Sequence, residues 1–478
     1  VSDDRVSEIV VCDDNSDDVE ELKRIISNFN SKKIKLFENE SNLGVYSNKL
    51  NSIEKSSNDW VILFDSDNVL SSDYLDALYN IEIWNSRTIY APSYIQKINE
   101  YGQSIDHFDY RKFIGLIDKY NFFKFETKDS LFQTMMNTCN YFVNKNEYLS
   151  VQNNNSQNYD TNLISSLDSI TLLSDWLIAS NSVNILDQMG YKHRIHNNSS
   201  YLRNYTRING DVWTNNLFQR ISDSIKISLC IPNYERSDIL IESFIDVIND
   251  NRIQEIIIVD DNSRNYEEIY QSEVFRNSKI KLIRNESNLG TFFNKLKAVE
   301  SSSTDFLILL DSDNKIDKNY IDSIYREDWD VNTILCPEIL NHHENNCWNE
   351  SGVFISYENL IGKNINYDFC RESILNNVEN KLMVLLNTGN YFVNKYSYIN
   401  SFNNNEFDRS VDITDVGFFN YLFLSCRKKN SMRIVQGLEY THRVHNGSFF
   451  INNSYLSANM QDLLKNKFIR DENLQFTK

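Results

Sequence analysis

The sequence predicts an α/β fold: two tandem copies of one domain, each with a mainly parallel sheet and helices on both faces. Three observations lead there. The first is an internal repeat. Glu8–Ser16 (EIVVCDDNS) returns as Glu255–Ser263 (EIIIVDDNS), Asn39–Gly44 returns as Asn285–Gly290 (both NESNLG), and Asp65–Asn68 returns as Asp311–Asn314 (both DSDN). Asn137–Lys145 (NTCNYFVNK) and His193–Asn197 (HRIHN) return as Asn387–Lys395 (NTGNYFVNK) and His442–Asn446 (HRVHN). A period of about 240 residues is far longer than a solenoid's 20–50, so the repeat unit is a whole domain. The second observation is alternation of apolar, strand-like runs with helical patterns, the mark of a parallel sheet with crossover helices. The third is that acidic residues follow the apolar runs, where ligands bind in such sheets.

The elements of the second copy follow in order. Lys226–Ile231 reads as a first strand. Pro232-Asn233-Tyr234-Glu235-Arg236 reads as a loop, and a helix-like stretch continues to about Asn251. Ile256–Val259 is a buried strand ending at Asp260-Asp261. After a turn come a short strand at Ile280–Ile283, a helix over Thr291–Glu300 and a wholly apolar strand at Phe306–Leu310. The first copy opens at the equivalent of the end of the helix that leads to Asn251, without the first strand and its loop. The sequence begins at Val1 on folded-looking chain, which reads as an N-terminal truncation. The predicted domains are residues 1–222 and 223–478.

Composition narrows the function. Hydrophobic residues at 41% supply real cores, while 12 Gly and 3 Pro exclude collagen-like or linker-rich chains. A net charge of −19 without a basic run argues against nucleic acid as a partner and against a polybasic membrane anchor. Such a chain can still bind anionic ligands through a metal ion. The 7 cysteines form no CxxC pair, so neither a disulfide framework nor a zinc cluster is expected, and a reducing cytoplasm fits. No apolar run is long enough for a transmembrane segment.

The chemistry-bearing motifs lie at the predicted strand ends. In Asp65-Ser66-Asp67 and Asp311-Ser312-Asp313 a buried strand delivers two carboxylates that repel one another and favour a divalent cation or a protonated state, whereas a lone motif of this kind reads as a solvated turn. Oxygen-only ligation suits Mg²⁺ or Mn²⁺. Asp13-Asp14 and Asp260-Asp261 begin either plain turns or a nucleoside-holding corner. In His442-Arg443-Val444-His445, alternation puts Arg443 and His445 on one face, suited to a diphosphate and its metal or to a structural role; Arg194 and His196 repeat them. Asp415 and Asp168 each precede an apolar helix, as an N-cap or as a general base. Asn387-Thr388-Gly389-Asn390 is an ordinary turn or a pocket wall, and Cys139 replaces Gly389 in the first copy.

In this order the motifs resemble glycosyltransferase family 2 enzymes with the GT-A fold. The resemblance covers nearly all of the second copy and most of the first. It implies inverting transfer of a sugar from a nucleotide-diphosphate sugar, a UDP-sugar first, to a glycan, lipid-linked or protein acceptor. Pro232, Tyr234, Arg236, Asp260, Asp261, Asp311 and Arg443 would bind the donor, as would Asp13, Asp14, Asp65 and Arg194 in the first copy. Asp313 and His445, and Asp67 and His196, would hold Mn²⁺ or Mg²⁺. Asp415 and Asp168 would take the proton from the acceptor hydroxyl. The tandem arrangement is similar to bifunctional bacterial polysaccharide synthases. The segments Ser93–Met136 and Glu338–Leu386 diverge most and read as acceptor-side regions. The implied place is the cytoplasm or the inner face of a membrane.

The departures are specific. His193 and His442 stand where the family often has Tyr, and Asp175 competes with Asp168 for the role of base. A non-catalytic scaffold or sugar-nucleotide-binding module is the alternative. A nucleotidyltransferase would want a Gly-rich loop at Pro232–Ser237, which has no glycine.

Overall fold

The computed structural model describes residues 1–122, 130–138, 140–155, 168–195, 219–236, 239–344, 352–376, 381–402, 415–444 and 462–469. The chain divides into two compact units, Val1–Ile225 and Lys226–Lys478.

In the second unit the strands are β10 (Ile227–Asn233), β11 (Ile253–Asp260), β12 (Ile280–Arg284), β13 (Phe306–Leu309), β14 (Thr333–Glu344), β15 (Gly352–Ser356), β16 (Ile365–Asn366), β17 (Phe392–Asn394) and β18 (Ser431–Val444). They form one sheet in the order β12-β11-β10-β13-β17-β14-β18-β16, with β15 on β14. The β12–β11–β10–β13 half is wholly parallel. All four residues of β13 are buried, as a strand covered on both faces requires. Beyond β13 the sheet is mixed. β17 runs antiparallel to β13 and β14, and β14 and β18 are parallel over a long register from Thr333↔Ser431 to Glu344↔Val444. The α/β expectation therefore holds, with antiparallel strands added to a parallel core.

The helix Thr291–Glu300 starts after Gly290, whose φ of +90° suits a residue without a side chain, and buries Phe292, Lys295, Ala298 and Val299 against the sheet. The helix-like stretch expected to reach Asn251 is helical only over Leu240–Phe244. From there the backbone continues in i→i+3 turns, Val247 to Phe244 and Asp250 to Val247. Asn249 and Asp250 are turn formers, which favours that break.

The first unit repeats the pattern with β1 (Ile9–Asp13), β2 (Ile34–Glu38), β3 (Trp60–Leu63), β4 (Val69–Leu70), β5 (Thr88–Ile98), β6 (Ser104–Asp109), β7 (Gly115–Ile117), β8 (Tyr141–Asn144) and β9 (Ser182–Arg194). β1 and β2 pair in parallel apart from the other strands, which follow the order β3-β8-β5-β9-β4 with β6 on β5 and β7 on β9. Among the described residues no strand lies between β1 and β3, where the second unit has β10 between β11 and β13. The flanking geometry is the same in both: Glu8 accepts from the Ser57 amide at 2.5 Å, and Glu255 from the Ser303 amide at 2.6 Å.

Matching aromatic clusters lock each sheet. Trp60 stacks on Phe142 at 5.0 Å with Trp84 beside them, and Phe306 stacks on Phe392 at 5.4 Å with Trp329 beside them. Among the described residues no helix is long and apolar enough to cross a membrane.

Candidate active site

The Pro232–Arg236, Asp260-Asp261 and Asp311-Ser312-Asp313 motifs of the second unit lie at the carboxyl ends of the parallel strands β10, β11 and β13. β11 ends on Asp260, whose carboxylate accepts from the Ser263 amide at 2.8 Å, the Ser263 hydroxyl at 2.7 Å and the Tyr270 hydroxyl at 3.0 Å. Asp261 accepts from Asn285 Nδ2 at 2.8 Å, the Leu289 amide at 2.7 Å and the Gly290 amide at 2.9 Å. Both aspartates are almost fully buried. In this state Asp260 shapes its own turn, and Asp261 ties the NESNLG loop to β11.

The loop after β10 is fastened to the same corner. The Asp261 amide donates to the Asn233 carbonyl at 2.8 Å, and the Glu235 amide to Ser263 Oγ at 2.9 Å. Glu235 takes φ +56° there. Pro232 is the penultimate residue of β10, Tyr234 is exposed on the loop, and Arg236 reaches to 3.8 Å from Asp313.

The Asp311-Ser312-Asp313 loop follows β13 directly. Its first amide donates to Asn390 Oδ1 at 2.8 Å. Asn390 holds φ +60°, a backbone position that Asn tolerates better than most residues, and the Tyr320 hydroxyl donates to its carbonyl at 2.5 Å. Gly389 lies so close that a Cβ there would stand 3.2 Å from Asp311 Oδ2.

Asp311 and Asp415 meet on one lysine. Lys295 Nζ is 2.9 Å from Asp311 Oδ1 and 2.6 Å from Asp415 Oδ2. Asp415 is the first residue of the helix Asp415–Cys426, while Asp412 and Thr414 lie outside the described residues. Burial alone would push the Lys295 ammonium down in pKa, but the two carboxylates reverse this and hold it above its ordinary value. Partial burial holds the Asp311 carboxyl above the usual carboxylate range despite Lys295, with Asp313 and Asp415 adding to the shift.

β18 closes the site. The Arg443 amide donates to Asn314 Oδ1 at 3.1 Å, joining this strand to the DSDN loop. The buried Arg443 guanidinium pairs with Glu242 at 2.7 Å. Burial lowers the guanidinium's pKa from its ordinary value, against the pull of Glu242 and Asp313. His445 and His196 lie outside the described residues.

The first unit places its counterparts the same way. Asp14 accepts from Asn39, Leu43 and Gly44 at 2.9, 2.8 and 2.9 Å. Asp13 accepts from the Ser16 amide at 2.9 Å and from its hydroxyl. Lys49 is 2.9 Å from Asp65 and 2.6 Å from Asp168, the first residue of its helix. Asp175 instead pairs with Arg220 at 3.1 Å and is buried, so Asp168, rather than Asp175, has the environment of Asp415. The units differ at the arginine: Arg194 donates to the carbonyls of Asp67 at 3.2 Å and Glu100 at 2.9 Å, whereas Arg443 meets a carboxylate. Asp67 follows Asp65 in the loop as Asp313 follows Asp311.

Sequence reasoning gave no role to Lys49, Lys295, Glu242 or Tyr270. Lys49 and Lys295 recur in the repeated Asn-Lys-Leu triplet, which was the available signal. Asn140 and Asn390 close the repeated Asn-Thr turn. Glu242 carried no signal because its partner, Arg443, lies 201 residues along the chain, and Tyr270 carried none because a single tyrosine does not show that its hydroxyl meets Asp260.

The Glycosyl transferase family 2 model matches residues 3–144 and 228–366. No curated protein sequence matches the chain. Among solved structures it is similar to TarS of S. aureus. TarS 1–349 in complex with UDP aligns at 15% identity over 51% of this chain and 70% of that one, with a TM-score of 0.34. TarS 1–349 in complex with UDP-GlcNAc aligns at 14% identity over 51% and 71%, with a TM-score of 0.35. A further TarS structure aligns at 15% identity over 51% and 42%, with a TM-score of 0.34. Because the family model covers more than half of its residues, in one stretch of each unit, this chain belongs to glycosyl transferase family 2.

Proposed function

We propose that the second unit binds a nucleotide-diphosphate sugar with Mn²⁺ or Mg²⁺ and transfers the sugar, with inversion, to an acceptor hydroxyl. The observation that carries this reading is convergence at one strand-end corner. Arg236 comes to 3.8 Å from Asp313, and Lys295 joins Asp311 to Asp415.

The metal part rests on the donor set. Among the described residues no group of three His, Cys, Asp or Glu stands ready as a cage. An ion that arrives with a diphosphate and keeps several waters needs only one or two carboxylates, and Asp313 beside Asp311 fits that need. When bound, the ion supplies charge neutralisation for the departing diphosphate. Arg236 and Arg443 add fixed positive charge on the same side, and Asp260 and Asp261 hold the corner that would face the nucleoside. Asp415 takes the proton of the acceptor hydroxyl. A single in-line displacement needs one such carboxylate and no covalent intermediate, so inversion follows. A UDP-sugar is the donor we favour, and the acceptor is a glycan, lipid-linked or protein hydroxyl.

The first unit supports a second reading for itself. It repeats Asp65, Asp67, Lys49 and Asp168, but its arginine meets carbonyls, and among the described residues only the second unit carries the Pro232–Arg236 loop. A bifunctional enzyme has two active units; a scaffold or donor-binding relic has one.

The experiment is product formation from a panel of UDP-sugars with oligosaccharide acceptors, comparing the full chain with Asp415→Asn and Asp168→Asn. Loss with Asp415→Asn of at least about 10²-fold supports the base assignment. Unchanged transfer in that variant would remove it.

A further inference from the structure

Lys295 deepens the proposed site. It lies on the sheet-facing side of the helix Thr291–Glu300, and its side chain is 9% exposed. Its ammonium touches two carboxylates from distant parts of the chain, Asp311 of the DSDN loop and Asp415 at the start of a helix. The first unit repeats both distances: 2.9 Å from Lys49 to Asp65 and 2.6 Å to Asp168. The neighbouring Asn294 is also fixed, donating to the carbonyl of Val259 at 3.0 Å and accepting from Asn285 at 2.9 Å. The helix is thus pinned to the end of β11 one residue before the lysine. Removing a lysine from such a place leaves two carboxylates with no shared countercharge, which is costly and invites another cation.

Resting on the function proposed above, we infer that Lys295 is the resident counter-cation and a positioning residue of the transfer site, and that Lys49 is its equivalent. It holds the Asp415 carboxylate at a fixed place relative to the donor-side loop. It also occupies the position between Asp311 and Asp415 that a free divalent ion would otherwise take. Metal therefore enters by way of Asp313 and the donor's diphosphate, and the site is selective for ion plus nucleotide over ion alone.

The test uses the full chain with Lys295→Met and Lys295→Arg, each checked for folding by its melting temperature. Three readouts follow: Mn²⁺ binding without nucleotide, by electron paramagnetic resonance of the free ion; Mn²⁺ binding with UDP; and kcat and KM for transfer from the UDP-sugar the wild type turns over. Lys295→Met should bind free Mn²⁺ about tenfold more tightly than wild type. Its kcat should fall at least about thirtyfold with little change in donor KM, part of the roughly 10²–10⁴ a general base supplies. Lys295→Arg should recover part of kcat and the weak free-ion binding, because a guanidinium can also serve two carboxylates. A folded Lys295→Met with wild-type kcat and unchanged free-ion affinity would overturn the inference. Should the wild type turn over no donor, the proposed function fails, and the nucleotide-free Mn²⁺ measurement still decides the lysine. If Lys295→Met does not fold, Lys295→Arg decides: wild-type weak free-ion binding with partial kcat supports the role, and tight binding with no kcat contradicts it.

Discussion

Removing Asp261's carboxylate should loosen the loop that opens the helix Thr291–Glu300. The carboxylate accepts three hydrogen bonds, from the Asn285 side chain and from the Leu289 and Gly290 amides, and the residue is 2% exposed. Hydrogen bonds to a charged group are worth about 1.5–3 kcal/mol each. Leu289 and Gly290 are half-buried, so water can replace part of what their amides lose, whereas the Asn285 amide is buried and cannot be served that way. Asp261→Ala should therefore cost about 3 kcal/mol, a large share of the roughly 5–15 kcal/mol of a folded domain. For a unit of this size that is a fall of about 6–12 °C in melting temperature. Asp14→Ala removes the same three bonds from a half-buried residue and should cost less, about 1.5 kcal/mol. Calorimetric and urea unfolding of both variants measure this. If Asp261→Ala unfolds within about 0.5 kcal/mol of wild type, the loop does not depend on this carboxylate and the reasoning is refuted.

Other variants probe the site and its frame. Gly389→Ala places a Cβ 3.2 Å from Asp311 Oδ2 and 3.4 Å from Val416, so Asp311 must move; the expected result is a several-fold loss of transfer with a melting temperature near wild type. Glu242→Ala leaves the buried Arg443 guanidinium without its carboxylate at 2.7 Å, and should cost about 1–2 kcal/mol and weaken UDP binding, read by unfolding and calorimetry. Burial alone would raise Glu8, but the Lys35 ammonium and the Ser57 amide hold its carboxyl at about 2, below its ordinary 4.5. A depressed carboxylate stabilises the fold above its unfolded pKa and loses that contribution as pH falls from about 4.5 towards 2, so Glu8→Gln should flatten about 1 kcal/mol of acid dependence in that window.

Much of this molecule was legible because its chemistry repeats. The helix Thr291–Glu300 matches its sequence reading end to end, since the Gly at its start and the apolar spacing agree. β11 and β13 were readable as short apolar runs ending in Asp, the usual look of strands covered on both faces. The mixed half of the sheet was not, because β17 is only three residues long and its antiparallel pairing with β13 is a long-range choice. At the site, the position of Asp311, Asp313 and Asp415 was readable, but their charge balance was not. A lysine one residue after a repeated Asn gives no hint that it spans two carboxylates, one in the DSDN loop and one at the start of a helix much further along the chain. Asp260 and Asp261 read as either a plain turn or a nucleoside-holding corner, and the sequence does not show that their carboxylates accept hydrogen bonds within the protein. Local pattern shows where a residue sits, but not which partners have claimed it.

The central claim is metal-dependent donor binding at the second unit's strand-end corner, and calorimetry with UDP-sugars tests it most directly. The full chain, Asp313→Ala and Asp67→Ala are each titrated with and without Mn²⁺. The account predicts Mn²⁺-dependent binding that disappears in Asp313→Ala; a second site lost only in Asp67→Ala would make the first unit active too. Binding that is indifferent to Mn²⁺, or that survives Asp313→Ala unchanged while no other site is found, would contradict it.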